Sequence, residues 1–213
     1  MSWNRTDGIS LPDIPTPALV LSSCSLQCER SGGSLKNQDL QIVQKAASLL
    51  TEDFRHAGQV CRLLLAIYDD LSPVHGCGRQ TRRLLAAAAL LHDIGWSVSD
   101  VSHHKTGMAF IAGDRTLPFS LHERILVALA VRYHRGPLPK RRHPLYCGLS
   151  KQDRRMVHLL AGIIRIADGL DRSHCSVVRS VHAKLSAGIL VISCTGSGSG
   201  SPERRTAAKK RIC

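Results

Sequence analysis

His56, the adjacent pair His92–Asp93, and Asp168 each stand on an otherwise apolar stretch, and His134 closes another. Imidazoles and carboxylates on such faces must leave water, and a buried carboxylate nearly always needs a partner. Each has a structural explanation of its own. His56 reads as a hydrogen-bonded core residue, and His92–Asp93 as a pair at a helix end. Asp168 could form an ion pair with Arg165 or Arg172, and His134 could be an imidazolium favoured by a helix C-terminal dipole. A metal centre explains all of them with one assumption, because neutral imidazole and ionised carboxylate are both ligands of divalent ions.

The elements that would bring these residues together are helices. Leu and Ala fill residues 84–91, apolar on every face, so that helix must lie inside the fold; His92–Asp93 closes it and Gly95 reads as its stop. Another helix is predicted over residues 38–50. The next is capped by Thr51, has Glu52 and Asp53 in its first turn, and carries the stripe His56, Val60, Leu63, Leu64 and Ile67. Ser72–Pro73 breaks it. His103 opens a short helix through Ile111, and Ser120 with Glu123 forms a capping box for a helix ending at Tyr133–His134. Ser150 caps a longer one, along which Val157, Leu160, Ala161 and Ile164 lead to Asp168. Alternation over 177–185 and 189–192, around Ala187–Gly188, predicts a short hairpin. Residues 1–35, interrupted by Pro12, Pro15 and Pro17, and residues 195–213, Gly/Ser-rich and then basic, read as tails. The domain is expected over 36–194.

Composition narrows the class. Apolar residues make up 43% of the 213 residues and aromatics only 4%, which suits packed helices of Leu, Ile, Val and Ala. The net charge of +13 implies affinity for polyanions without choosing among them. No aromatic-studded sheet suggests specific nucleic-acid recognition. No apolar run reaches membrane-spanning length, so no membrane partner is expected. The eight cysteines include no Cys-x-x-Cys pair, and none sits beside a histidine in a context suited to nucleophilic catalysis. Cys61 reads as a small buried hydrophobe. A reduced, cytoplasmic protein is expected.

The order His…His-Asp…Asp resembles the HD domain superfamily of metal-dependent phosphohydrolases. Phe54-Arg55-His56-Ala57-Gly58-Gln59-Val60 is similar to its first ligand helix, Leu90-Leu91-His92-Asp93-Ile94-Gly95 to its signature, and Ile166-Ala167-Asp168-Gly169-Leu170-Asp171 to its closing aspartate helix. More narrowly, His103-His104-Lys105, Arg132-Tyr133-His134-Arg135 and the runs 138–144 and 166–174 resemble the C-terminal HD domain of exopolyphosphatase/guanosine pentaphosphatase proteins.

This resemblance implies an all-α HD helical bundle with a small C-terminal β-hairpin, and hydrolysis of a phosphate ester. The expected substrate is a nucleotide, a guanosine polyphosphate or another phosphorylated small molecule or polyphosphate. It also implies one or two divalent ions, of Mn, Fe, Ni, Zn or Mg. His56, His92, Asp93 and Asp168 would bind the first; His134 with His103 or His104 would bind a second, Asp93 bridging the two as the catalytic residue. Such ions acidify bound water and stabilise charge on phosphoryl oxygens. Lys105, Arg135, Lys140, Arg141, Arg142 and Arg172 are the expected phosphate contacts; a solvated basic surface is the other reading of them. The sequence departs from the pattern at Trp96, where several HD phosphohydrolases carry a Lys three residues after the signature Asp. The related domains also follow a large actin-like domain, for which this sequence has no room and whose activity is not carried over. The rival expectation is a non-catalytic, metal-stabilised HD module that binds polyphosphate or another polyanion through its basic face.

Overall fold

The computed structural model describes residues 37–51, 53–98 and 102–197. The tail expected at 1–35, residues 198–213 of the second tail, and Glu52 lie outside them. Among the described residues the chain forms α1 (Asn37–Leu50), α2 (Phe54–Asp70), α3 (Ser72–His75), α4 (Arg79–Leu90), α5 (His103–Gly113), α6 (Leu121–Tyr133) and α7 (Lys151–Leu170). A 3-10 turn, Ile94–Ser97, joins α4 to α5. The chain closes with an antiparallel hairpin of β1 (Val178–Ser186) and β2 (Ile189–Gly196). This is the expected helical bundle with a small hairpin.

The Ala/Leu helix is the centre of it. Every residue from Leu84 to Leu90 on α4 is buried, and α1, α2, α6 and α7 pack around it. On α2 the stripe Val60, Leu63, Leu64 and Ile67 is fully enclosed, and His56 lies on the same buried face. Each such aliphatic side chain removed from water contributes roughly 1.5–3 kcal/mol. Polar ties fix the hairpin on α2: Gln59 Nε2 and Arg62 Nη2 donate to the Val178 carbonyl at 2.7 and 2.8 Å, and the Ala183 amide donates to Asp70 at 2.9 Å.

Several local expectations change. Asp53, not Thr51, caps α2, its Oδ1 accepting the His56 amide at 3.0 Å, because Phe54 is the first helical residue and His56 therefore the third. Pro73 does not simply break the chain. It occupies the first turn of α3, where a missing N–H costs nothing. α4 ends at Leu90, so His92 and Asp93 lie on the turns beyond it. Gly95 is no helix stop: a Cβ there would fall 1.8 Å from the His103 carbonyl oxygen, so its bareness lets α5 approach the 3-10 turn. At the hairpin, Ala187 and Gly188 both take positive φ (48° and 78°), as a two-residue turn requires, and β2 runs to Gly196, inside the expected tail.

The capping box of α6 forms as read. The Glu123 amide donates to Ser120 Oγ at 3.3 Å and Glu123 Oε2 accepts the Ser120 amide at 2.8 Å, while Arg83 pairs with Oε1. Burial opposes its charge, but Ser120 and Arg83 hold the Glu123 carboxyl below its ordinary value. A depressed carboxyl contributes stability above its unfolded pKa and loses it as pH falls through that value toward the folded one. Glu123→Ala is therefore expected to cost about 1 kcal/mol at neutral pH and progressively less in acid, read from urea melts at pH 7 and below pH ~4.

Candidate metal centre and substrate cleft

Five elements deliver the candidate ligands. α2 presents His56, the turns after α4 present His92 and Asp93, α5 begins at His103, His134 caps the C-terminus of α6, and α7 carries Asp168 in its last turn. All six are buried. They converge on the Asp93 carboxylate. Oδ2 lies 3.2 Å from His92 Nε2 and 4.0 Å from His56 Nε2; Oδ1 lies 3.5 Å from His103 Nε2 and 3.7 Å from His134 Nε2. Asp168 Oδ1 is 3.6 Å from His56 Nε2. Ligands sharing one ion at about 2.0–2.2 Å sit about 3–3.5 Å apart, so these separations suit two ions on either side of one carboxylate.

The hydrogen bonds make the same point. None of the four Nε2 atoms makes a hydrogen bond, and neither does Asp93 Oδ1, though all five are enclosed. Orphaned groups in such a place are costly unless something else satisfies them. Meanwhile the opposite ring nitrogens are taken: His92 Nδ1 is 2.6 Å from the Ala89 carbonyl, His134 Nδ1 is 2.6 Å from the Val131 carbonyl, and His56 Nδ1 is 2.8 Å from Asp171 Oδ2. A carbonyl can only accept, so Nδ1 of His92 and of His134 carries the proton and Nε2 is the free lone pair of the neutral ring.

Charge is distributed to match. Burial opposes ionisation of Asp93, but His92, His134 and Arg135 hold its carboxyl well below the usual range. Burial likewise disfavours charge on His56, yet Asp168 and Asp171 raise it to about 9; Asp93 raises His92 against its burial. Burial and the adjacent His92 push His134 down to about 3. The imidazolium suggested by the α6 dipole is therefore overridden. In the bare chain the positive charge facing Asp93 and Asp168 comes from Arg135 and from histidine, and a divalent ion held there would supply charge to the same two carboxylates.

Residues 40–188 match the family Ppx/GppA phosphatase, domain III. The chain belongs to that family. No curated protein matches the sequence.

In this Ppx/GppA domain III the sequence-derived residues divide. His56, His92, Asp93, His103, His134 and Asp168 meet; His104 stays outside both ligand groups, its ring 5.5 Å from His103 and 6.5 Å from His134. Arg135 Nη2 lies 3.4 Å from Asp168 Oδ1, while Arg165 donates to the Tyr133 and Gly136 carbonyls. Asp93 opens into a cleft of about 480 Å³ whose walls include Trp96, Arg135, Arg172, His174 and Asp53. Lys105, Lys140, Arg141 and Arg142 are exposed and line no part of it. Trp96 stacks on His103 (centroids 4.2 Å apart, 14° between planes), fixing that ring from the cleft side.

Three residues of the site were not singled out as functional. Asp171, one helical turn beyond Asp168, orients His56 and accepts the Ser176 amide at 2.8 Å. Its i+3 spacing from Asp168 is a signal that the sequence offered. His174 stacks flat on His56 (3.7 Å, 7°) and its Nδ1 is 2.9 Å from Asp53 Oδ2. Asp53 thus caps the His56 backbone with one oxygen and anchors the ring covering His56 with the other. No local pattern announces His174, whose left-handed backbone (φ 57°) is set by the turn after α7. Removing such an outer partner usually lowers metal affinity 10–100-fold, so Asp171→Asn is expected to bind Mn about that much more weakly, as titrated with a competing chelator.

Proposed function

We propose that this domain is a divalent-metal-dependent phosphohydrolase of the HD superfamily, acting on a phosphate ester such as a nucleotide or guanosine polyphosphate. One observation carries the reading: a single enclosed carboxylate, Asp93, faces two imidazoles with each oxygen, and all four free nitrogens point inward without partners. His56, His92 and Asp168 with Asp93 Oδ2 would hold one ion, and His103 and His134 with Asp93 Oδ1 the other. Mixed imidazole and carboxylate donors suit Mn, Fe, Ni or Zn better than Mg. When bound, such ions supply Lewis-acid charge and an acidified water.

The chain's own residues do the rest. Arg135 and Arg172 line the cleft as forked donors for non-bridging phosphoryl oxygens, and their fixed positive charge opposes the negative charge that builds there in the transition state. Arg135 is itself held toward Asp168, so it is oriented before substrate arrives. Trp96 walls the cleft where a Lys would otherwise stand, shielding His103 from solvent and leaving the two arginines as the cleft's cations. Among the described residues no helix is long and apolar enough to cross a membrane.

A second reading, a metal-stabilised module that binds polyanions without turnover, is favoured by Trp96 and the charge of +13. One screen separates them. The protein, purified with its native metal, is assayed on phosphomonoesters, phosphodiesters and nucleoside polyphosphates with Mn or Ni added. Turnover that chelator abolishes and metal restores is the expected result. Bound metal with no turnover on any of these, together with salt-sensitive polyphosphate binding, would establish the module instead.

A further inference from the structure

The hairpin has two outer edges, and the fold covers one of them. Its two-residue turn pairs Ser186 with Ile189, and alternation from there makes Lys184–Val191 and His182–Ser193 the pairs that exchange hydrogen bonds. The backbone groups between these pairs point outward. On β1 such groups meet α2. The Ala183 amide donates to Asp70 Oδ2 at 2.9 Å, the Val178 carbonyl accepts from Gln59 and Arg62, and the Arg179 carbonyl accepts from Arg62 Nη1 at 2.7 Å. On β2 the outward amides and carbonyls of Leu190 and Ile192 meet no partner among the described residues.

Nothing on β2 discourages a further strand. Edge strands are ordinarily protected by a charge, a proline or a bulge. Ile189–Gly196 reads Ile-Leu-Val-Ile-Ser-Cys-Thr-Gly, with no charge and no proline, and the irregularity in the register puts its extra residue on β1, between Val178 and Ser180. Ile189 and Val191 are 66% and 48% exposed, level with Ser186 and Lys184 on the solvent face.

Charge selects the occupant. The chain carries +13, so two copies repel wherever their basic surfaces meet. β2 is the uncharged strand of the hairpin, and the cations Arg179 and Lys184 belong to β1. If β2 pairs with the β2 of another copy, the two β1 strands become the outer strands of the sheet. At about 4.8 Å per strand they stand roughly 14 Å apart, beyond the screening length of about 10 Å at 0.1 M salt. An acidic or basic strand from some other protein would find no charge on β2 to match its own.

We propose that β2 is a dimerisation edge, on which the β2 of a second copy of this chain pairs antiparallel about a two-fold axis to make one four-stranded sheet. The outward groups of Leu190 and Ile192 then bond across the axis, and Ile189 and Val191 pack on their counterparts. One strand pair is a small interface, so dissociation in the micromolar range, about 1–100 µM, is expected. The proposal is independent of the hydrolase reading.

Sedimentation equilibrium of the full chain tests it, with amide hydrogen exchange measured over the same concentrations. Twice the chain mass is expected at the upper end of that range, with exchange at Leu190 and Ile192 slowing as the dimer forms. Val191→Lys should weaken association at least about tenfold, because the two-fold axis counts the added charge twice, whereas Leu49→Lys, at an exposed apolar residue of α1, should change it less than about threefold. Should Val191→Lys lower the melting temperature, Ile189→Lys takes its place, with the same weakening expected. A native chain that stays monomeric throughout would overturn the proposal and leave the edge to another protein. Protection of Leu190 and Ile192 in a monomer would overturn it in favour of the chain's own terminal segments. A dimer that both lysine substitutions weaken equally, or that neither edge substitution weakens, would place the contact elsewhere and refute it as well.

Discussion

Asp93→Ala is expected to bind no stoichiometric divalent ion and to hydrolyse phosphate esters at least about 10³-fold more slowly than the native chain, while keeping its helical circular dichroism. The size of the effect follows from position. His56 and His92 face one oxygen of Asp93, His103 and His134 the other, so one truncation removes a ligand from both groups together. What remains is a cluster of imidazoles whose common negative partner has gone. Metal charge stabilises a phosphoryl transition state by several kcal/mol, and each 1.36 kcal/mol is about tenfold in rate. The fold should survive, because Asp93 stands on a turn after α4 and the buried Leu and Ala residues of that helix are untouched. A variant that keeps its metal and its turnover would remove Asp93 from the account.

Gly95→Ala should be the most damaging change of a residue that touches no ligand directly through a side chain. The added Cβ would meet the His103 carbonyl oxygen at 1.8 Å, its carbonyl carbon at 2.6 Å and the Gly107 amide nitrogen at 2.7 Å. All three are backbone atoms of α5, so no side-chain rotation relieves the clash and the helix must move as a unit. Overpacking of this kind costs about 3 kcal/mol or more, equivalent to a fall of roughly 6–12 °C in melting temperature for a chain of this size. Because His103 opens α5, its ring would leave Trp96 and Asp93 together. Metal analysis of the refolded variant is expected to show loss of the ion at His103 and His134 with retention at His56 and His92. An unchanged melting temperature would mean that α5 is free to retreat.

How much of this was legible beforehand depended on distance along the chain. His56, Asp168 and the His92–Asp93 pair stood out because they interrupt apolar stripes, a signal confined to one helix at a time. The all-round burial of α4 followed from the same kind of local pattern, as did the Ser120 and Ser150 caps. His103 against His104 could not be decided so, since adjacent helical residues point about 100° apart and only the packing of α5 on the 3-10 turn selects the inward one. The partners of the ligands were hidden for a similar reason. His56 meets Asp171 across 115 positions, and Asp53 meets His174 across 121. Gly95 was misread because helix termination and close backbone approach both favour glycine, and nothing local distinguishes them.

Anomalous diffraction from crystals soaked in Mn tests the central claim most directly. Two peaks are predicted, flanking the Asp93 carboxylate. One should lie within bonding distance of His56, His92 and Asp168, and the other of His103 and His134, each at about 2.0–2.3 Å. Crystals that take up Mn elsewhere, with the four inward nitrogens still bare, would contradict it.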